Sequence, residues 1–407
     1  HRAEHMTGEL AVADGELTFT DVRAELAGAK FRGTRGRVRN LPAPDGRTEI
    51  AFTVSADDVP IDEQFANLFA DPLHTAIQKR RPVGRADIDD LQLRFLQPQP
   101  GNPLPLETSI QGEMRLHGLD LTLGDGPEGI RVRDIHGTVV LAPSRVSSAG
   151  GALTGALRSV SLQLFDHPFE AVKADFSADA ERLVMPTLSA RWHGGTLDTG
   201  SAEHPALQYE LPGPVAPEGR LSADLQYRSV DVYSFLDTCG WTNPPYSGKA
   251  SGRARIERLD GYDVVSARGS GDMAIRDADL GVVPLFTAIY AQLPAADRPR
   301  FQAMDLAFAM QDRTVRFDRL DVRSDVVGAK GEGTLDLDGY LEVELTLDNL
   351  LGSSADPLLM PLIDYLAQNI VTFYLHGYLR DLRAEKRWIT ESAPRRRVAV
   401  PLPPAPV

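Results

Sequence analysis

Apolar residues at every second position, repeated along the chain, are the feature that most narrows what this sequence can fold into. Met304, Leu306, Phe308 and Met310 take alternate positions, and Val315 and Phe317 resume the pattern after a break. Leu341, Val343, Leu345 and Leu347 alternate with Glu342, Glu344 and Thr346. Leu221, Ala223, Leu225 and Tyr227 repeat the pattern, as do Leu188, Ala190 and Trp192. A period of two sends successive side chains to opposite faces, so each run predicts a half-buried antiparallel strand with one dry side and one wet side. Gly, Asp and Asn gather between the runs, and Asp260-Gly261 and Asp338-Gly339 fall where tight hairpins would turn. The chain therefore reads as mostly β, largely a meander.

Three stretches have helical spacing instead. Residues 61–76 place Ile61, Phe65, Leu68, Phe69 and Leu73 on one face; residues 280–293 do the same with Val282, Leu285, Phe286, Ile289, Tyr290 and Leu293. Residues 356–370 start with Asp356 as N-cap and Pro357 at the first helical position. A shorter stretch, 232–239, suggests a fourth helix. Each is expected to cover an end or a face of a sheet, or to act as a gate or membrane-touching element.

Composition sets outer bounds. In 407 residues, 42% hydrophobic and 25% charged, there is enough apolar material for a sizeable core, in two or three domains or one long element. Lys+Arg 43 against Asp+Glu 57 leaves a net charge of −14, which argues against nucleic-acid binding through an overall basic field. Cys239 is the only cysteine, which excludes an intrachain disulfide, a Cys-rich zinc cage and a CxxC redox site. The chain opens at His1 without an initiator Met or a signal pattern, and reads as a segment of a longer protein. Its best membrane-span candidate, 358–375, is interrupted by Asp364, Gln368 and Asn369, and reads as an amphipathic helix feeding a strand.

A repeat recurs at a separation of 300. Asp21-Val22-Arg23 returns as Asp321-Val322-Arg323, Gly28-Ala29-Lys30 as Gly328-Ala329-Lys330, and Gly33-Thr34 as Gly333-Thr334. Units of strand, Gly-marked turn and strand bury their dry faces by stacking side by side, which favours one elongated sheet. Residues 1–220 read as a repetitive β segment and 221–390 as a second β region. The Pro- and Arg-rich tail, 391–407, carries no periodicity and is expected to be disordered.

Motifs for chemistry are absent: no Walker loop, GxSxG elbow, HExxH or kinase signature occurs. Gly269-Ser270-Gly271 and Gly331-Glu332-Gly333 lie in strand patterns, where glycines mark bulges or close backbone approach. Asp336-Leu337-Asp338-Gly339 departs from a calcium loop and reads as a turn. Asp87-Ile88-Asp89-Asp90 reads as a wet strand face, although paired carboxylates could also serve a glycosidase. His193, beside Trp192 and Gly194, is expected to be a satisfied surface residue. Cys239 has no histidine near it in sequence, and its amphipathic setting suits burial. The expectation is a protein that is not an enzyme and uses no metal or cofactor.

Beyond physical patterning, the stretch Val230-Asp231-Val232-Tyr233-Ser234-Phe235-Leu236, followed by Tyr246-Ser247-Gly248-Lys249-Ala250-Ser251-Gly252, resembles the C-terminal region of AsmA-like proteins. Gly269 to Leu280, then 301–308, 315–322 and 328–337, follow in that family's order. Upstream, Pro60-Ile61-Asp62-Glu63 and Arg81-Pro82-Val83-Gly84-Arg85-Ala86-Asp87 resemble the short helix and strand start of large AsmA-like envelope proteins. The resemblance covers 220–380 well and 1–220 loosely. It implies an elongated, twisted and curved antiparallel sheet forming a groove, flanked by a few short amphipathic helices. It further implies a periplasmic place in the envelope of a diderm bacterium, tethered to the inner membrane by a segment outside this sequence. By that likeness the protein would bind or conduct phospholipid or another acyl lipid between inner and outer membranes, as bridge-like lipid transfer proteins do.

On that reading the dry side of the sheet, with Met273, Ile275, Leu306, Phe308, Leu335, Leu337, Val343 and Leu345, would line the lipid groove. A charge at Leu345 is then expected to abolish lipid loading while the sheet still folds. The same pattern would equally suit an ordinary sandwich core, which leaves no trough. Two other readings stay open: a scaffold that assists outer-membrane protein assembly through an envelope protein partner, and a polysaccharide-active enzyme.

Overall fold

Strands follow one another almost without interruption in the computed structural model, which describes residues 4–26, 29–39, 47–62, 65, 73–98, 107–123, 130–147, 150–179, 181–213, 218–240, 247–261, 263–279, 302–324, 327–349, 371–378 and 381–388. The first seven strands are β1 (Glu4–Ala13), β2 (Glu16–Leu26), β3 (Ala29–Arg39), β4 (Arg47–Ile61), β5 (Val83–Pro98), β6 (Glu107–Leu123) and β7 (Ile130–Ser147). After them come β8 (Gly150–Gly151), β9 (Leu153–Leu164), β10 (His167–Ala178), β11 (Arg182–Trp192), β12 (Gly195–Thr199), β13 (Leu207–Glu210) and β14 (Arg220–Asp231). The remainder are β15 (Ser247–Asp260), β16 (Asp263–Asp279), β17 (Ala303–Gln311), β18 (Thr314–Arg323), β19 (Val327–Asp336), β20 (Tyr340–Asn349), β21 (Val371–Tyr378) and β22 (Asp381–Trp388). Two short helices join them, α1 (Leu73–Lys79) and α2 (Val232–Thr238).

All pairings are antiparallel, and the strands form one 22-stranded sheet. Each strand lies beside its neighbour in sequence, with two departures. The two-residue β8 pairs with the end of β7, which also pairs with β9. β12 and β13 share one place in the sheet, each pairing with β11 on one side and β14 on the other. The sheet runs without a break through residues 220 and 221, where β14 joins β13.

The alternation seen in sequence becomes a continuous dry ladder, because cross-strand partners share a face. Phe31, Ala56, Ile88, Met114, Val139, Leu157, Ala174 and Leu188 are successive partners from β3 to β11. Two residues on, Ala190 pairs with Leu197, and the ladder continues through Tyr227, Gly252, Met273, Leu306, Leu320, Gly331, Leu345 and Phe373.

Bulges interrupt the register on the N-terminal side. Asp58, Asp90, Asp134, Ser159 and Ala171 take left-handed backbone angles within strands, with φ between 48° and 59°. A bulge bends its strand and frees a backbone N–H from the ladder. Neighbouring side chains take up several of these: Asp87 accepts from the N–H of Asp58 at 3.0 Å, Ser55 from Asp90 at 3.1 Å, and Asp120 from Asp134 at 2.7 Å. Ser251 does the same for Ser229.

The helical expectations divide. α2 forms where expected, with Asp231 as its N-cap accepting from Ser234 N. The helix expected over 61–76 is corrected at its start, where Ile61 closes β4, paired with Gly84; Phe65 is helical, 63–64 and 66–72 lie outside the described residues, and α1 spans Leu73–Lys79. The ladder with β5 keeps Pro60 and Ile61 extended, overriding local helical spacing. The helices expected at 280–293 and 356–370, and the tail 391–407, lie outside the described residues. Among the described residues no helix is long and apolar enough to cross a membrane; the C-terminal part of the 358–375 stretch is strand β21.

Candidate functional site

With the strands in register, seven of the eight groove candidates fall on the dry face. Met273 pairs with Leu306, Ile275 with Met304, Phe308 with Gly271, Leu335 with Leu341, Val343 with Gly333 and Leu345 with Gly331. All seven belong to one apolar cluster, whose buried members include Ile275, Leu306, Val322, Val343, Leu345, Phe373 and Leu375. Leu337 does not join them. It lies in the turn between β19 and β20, 38% exposed, with its N–H donated to Arg313 O at 2.8 Å. The strand alternation ends at Asp336, and Gly339, at φ 88°, turns the chain.

Cover differs along the face. Val343 and Leu345 are 1% and 0% exposed, so the dry face of β19–β21 is closed over. Gly331 helps to close it: a Cβ there would fall 2.6 Å from Leu345 Cδ2, so only glycine lets that side chain lie flat across the neighbouring strand. A charge at Leu345 would therefore be buried among Phe373, Val343 and Gly331, and would cost the fold rather than probe lipid loading.

The dry face of β3–β14 has another character. Its buried members run from Ala56, Ala86, Val160 and Val172 to Ile88, Leu91 and Ile110. The long ones packed on them, Phe31, Phe52, Phe95, Met114, Leu157, Phe176 and Leu188, are only half-buried. Of the eight largest side chains buried below 2% exposure, the β16–β21 cluster contributes five, this cluster Val160, and a small cluster on β7, β13 and β14 Ile130 and Tyr209. Under a packed second layer the longest side chains are the most enclosed. Here the long side chains stay part-exposed. At the outermost strand the face is uncovered: Leu10 and Val12 of β1, paired with Phe19 and Leu17, are 69% and 71% exposed. None of these N-terminal residues was among the groove candidates, which were taken from the strands that carry the family resemblance, although runs such as Ile50-Phe52-Val54-Ala56 and Leu91-Leu93-Phe95 alternate as plainly.

Two polar features edge this face. Near Ile130, Tyr209 and Leu221, Arg80 follows α1, and burial holds its guanidinium below the ordinary arginine range while nearby Tyr209 works in the opposite direction. At another edge, β10, β11 and α2 bring together Phe169, Trp192, His167, His193 and Phe235. The rings of Trp192 and Phe169 stack at 6.0 Å, and those of His167 and Phe235 at 5.3 Å. His167 Nδ1 and His193 Nε2 share a hydrogen bond of 2.9 Å, and His193 Nδ1 shares another of 2.9 Å with Ser234 Oγ.

Two expectations are corrected here. His193 is not a surface residue; it is 7% exposed. Cys239 is exposed rather than buried, because it caps the C-terminal end of α2, and its Sγ lies 4.0 Å from His167 Nε2, 72 positions away in sequence.

The carboxylates that could have served a glycosidase are engaged in the fold. Asp87 holds the Asp58 N–H and His117 Nε2, and these contacts, led by the N–H, lower its carboxyl below the usual range. Asp89 pairs with Arg32, and Asp90 is itself a bulge residue. Among the described residues no group of three or more His, Cys, Asp or Glu side chains is arranged to hold a metal ion. Comparison with protein-family models, with curated proteins and with solved structures finds no match to this chain.

Proposed function

We propose that the protein binds phospholipid, or another acyl lipid, by its acyl chains along the dry face of β3–β14, leaves the headgroups in water and performs no chemistry. The observation that carries this reading is the half-exposed row of long apolar side chains above a buried floor, continuing to the bare apolar side of β1. Each methylene moved from water to such a face contributes about 0.8 kcal/mol, so a two-chain lipid is held without any specific polar contact. Burial of this kind is non-directional, and a bound lipid can slide from one strand to the next. The resemblance to AsmA-like proteins supports the same reading and adds its setting: a groove in the periplasm of a diderm envelope, conducting lipid between the two membranes. The site moves toward the N-terminal strands relative to the sequence-based candidates, with Met273, Phe308 and Leu335 as its half-buried continuation.

Mass spectrometry of organic extracts tests this, on protein purified without detergent from a diderm host. The expected result is one or more phospholipids per chain, with stoichiometry falling in Phe52→Asp while circular dichroism stays that of the parent. A folded chain free of lipid overturns the reading. It would favour a scaffold, for which one observation speaks: β1 has a strand partner on one side only among the described residues, leaving an edge for β-augmentation by an envelope protein. Proline substitutions in β1 would then remove a captured protein without changing bound lipid.

A further inference from the structure

The edge formed by β10, β11 and α2 holds a device that lipid binding does not use. α2 continues directly from β14 and packs on β14 and β15, with Val232 against the β16–β21 cluster; toward β10 and β11 it is joined by few groups. Phe235 lies flat on the His167 ring and meets Trp192 edge-on at 5.5 Å. Ser234 shares its hydroxyl hydrogen bond with His193, and the Asp231 N–H donates to His193 O at 2.9 Å. Two of these four contacts run through the imidazoles of His167 and His193, which are hydrogen-bonded to each other, and a third through the His193 carbonyl. We infer that the His167–His193 pair is an acid-sensitive latch, holding α2 against β10 and β11 while neutral and releasing it as the pair takes up protons.

The geometry imposes this. A hydrogen bond between two ring nitrogens needs one N–H and one lone pair, and a neutral pair supplies both. A first added proton still leaves a donor and an acceptor between the rings, but places a cation in a pair of which one ring is half-buried and the other only 7% exposed. A second proton sets N–H against N–H and cation against cation, with ring centroids 5.1 Å apart. The bond is then lost and the rings repel.

The charged and titratable groups around the pair do not neutralise it. Asp231 favours protonation of His193, but its carboxylate is committed to Lys249 Nζ at 2.9 Å and to the Ser234 N–H. Asp166, next to His167, is paired with Arg133. Cys239, facing His167 Nε2, has its thiol pushed up by burial and is neutral. Burial lowers both imidazoles, and His167 lowers His193 further. Released imidazoles therefore bind protons at pH values where docked ones do not. Docking is complete above the ordinary imidazole range near ~6.5 and weakens as pH falls through and below it.

Hydrogen exchange on the purified chain between pH 8 and pH 5, corrected for the intrinsic dependence of exchange on pH, reads the latch directly. Amides of 232–238 are expected to lose protection below pH ~6.5, by up to about tenfold per pH unit for each proton taken up, while those of β14 and β15 keep theirs. His167→Gln with His193→Gln keeps hydrogen-bonding side chains and should flatten the profile. Protection of 232–238 that is constant over this range, or a loss unchanged in the double variant, overturns the latch. A second measurement uses the parent chain alone, so it stands even if the variant fails to fold. The alkylation rate of Cys239, divided by that of a free thiol at each pH, should rise several-fold toward pH 5, and a constant ratio overturns the latch.

Discussion

The two ends of one sheet solve the same problem differently. From β4 to β7 the strands are 15–18 residues long, about 50–60 Å at ~3.3 Å per residue, and almost every pairing contains a register shift. From β17 to β22 they are 8–10 residues long, and the pairings β19–β20, β20–β21 and β21–β22 contain none. The C-terminal region encloses Phe373, Leu345 and Leu375 completely but leaves Phe308 and Phe317 half-buried; the N-terminal region encloses Tyr209 and Ile130 but leaves Phe52, Phe95 and Met114 half-buried. An apolar face, then, is not by itself a core or a groove. What lies over it decides.

The sharpest way to break this comparison is to remove one phenylalanine from each region and measure urea unfolding. Phe373→Ala, at 1% exposure, should cost about 3–5 kcal/mol, whereas Phe52→Ala, half-buried against Phe95 at 5.8 Å, should cost about 1–2 kcal/mol. Equal losses would mean that the N-terminal face is covered too, and the lipid reading would lose its support.

The next effect lies at the seam between the regions, on β14. Asp224, 1% exposed, accepts from Arg253 Nε at 2.8 Å and from Ser201 Oγ at 2.9 Å, and the Arg253 bond leads in lowering its carboxyl. Asp224→Ala should cost about 1–3 kcal/mol. Since the folded carboxyl is depressed, its contribution is complete above the ordinary aspartate value of ~3.9 and is lost as pH falls through the folded value. Asp224→Asn should therefore flatten the acid limb of stability against pH.

The smallest effect sharpens the joint itself. Tyr227 packs against both clusters and donates its hydroxyl to Asp272 O at 2.9 Å; burial, helped by Asp272, pushes it up to about 12. Tyr227→Phe should cost about 1 kcal/mol near neutrality. In the parent chain this residue's contribution should fall as pH rises from ~10 to about 12, because the unfolded phenol ionises first. The variant should lack that decline.

Local alternation was legible in the sequence at both ends of the sheet. Leu341-Val343-Leu345 showed its dry face plainly, because β20 pairs without a bulge. Phe52 and Phe95 sit in equally regular runs, Ile50-Phe52-Val54-Ala56 and Leu91-Leu93-Phe95, and the bulges at Asp58 and Asp90 shift the dry side only beyond them. Periodicity marks both faces; the groove candidates fell on β16–β20 because the family resemblance lay there. The 300-residue repeat makes a related point. Both copies form hairpins with an Asp–Arg pair two residues apart, Asp21–Arg23 and Asp321–Arg323. Yet Lys30 pairs with Glu25 while Lys330 pairs with Asp321, because Asp21 is a left-handed bulge residue and the N-terminal turn is tighter.

By itself the sequence determined that the chain is mostly antiparallel strand, which side of runs such as Leu341-Val343-Leu345 is dry, and that a short helix lies near 232–239, because side-chain period acts over a few neighbouring residues. Only the tertiary structure decided which part of the dry face is covered, that Ile61 belongs to a strand, and that His167 and Cys239 meet across 72 positions. Cover, strand register and distant contact depend on how remote segments share space, and no local pattern of residues encodes that.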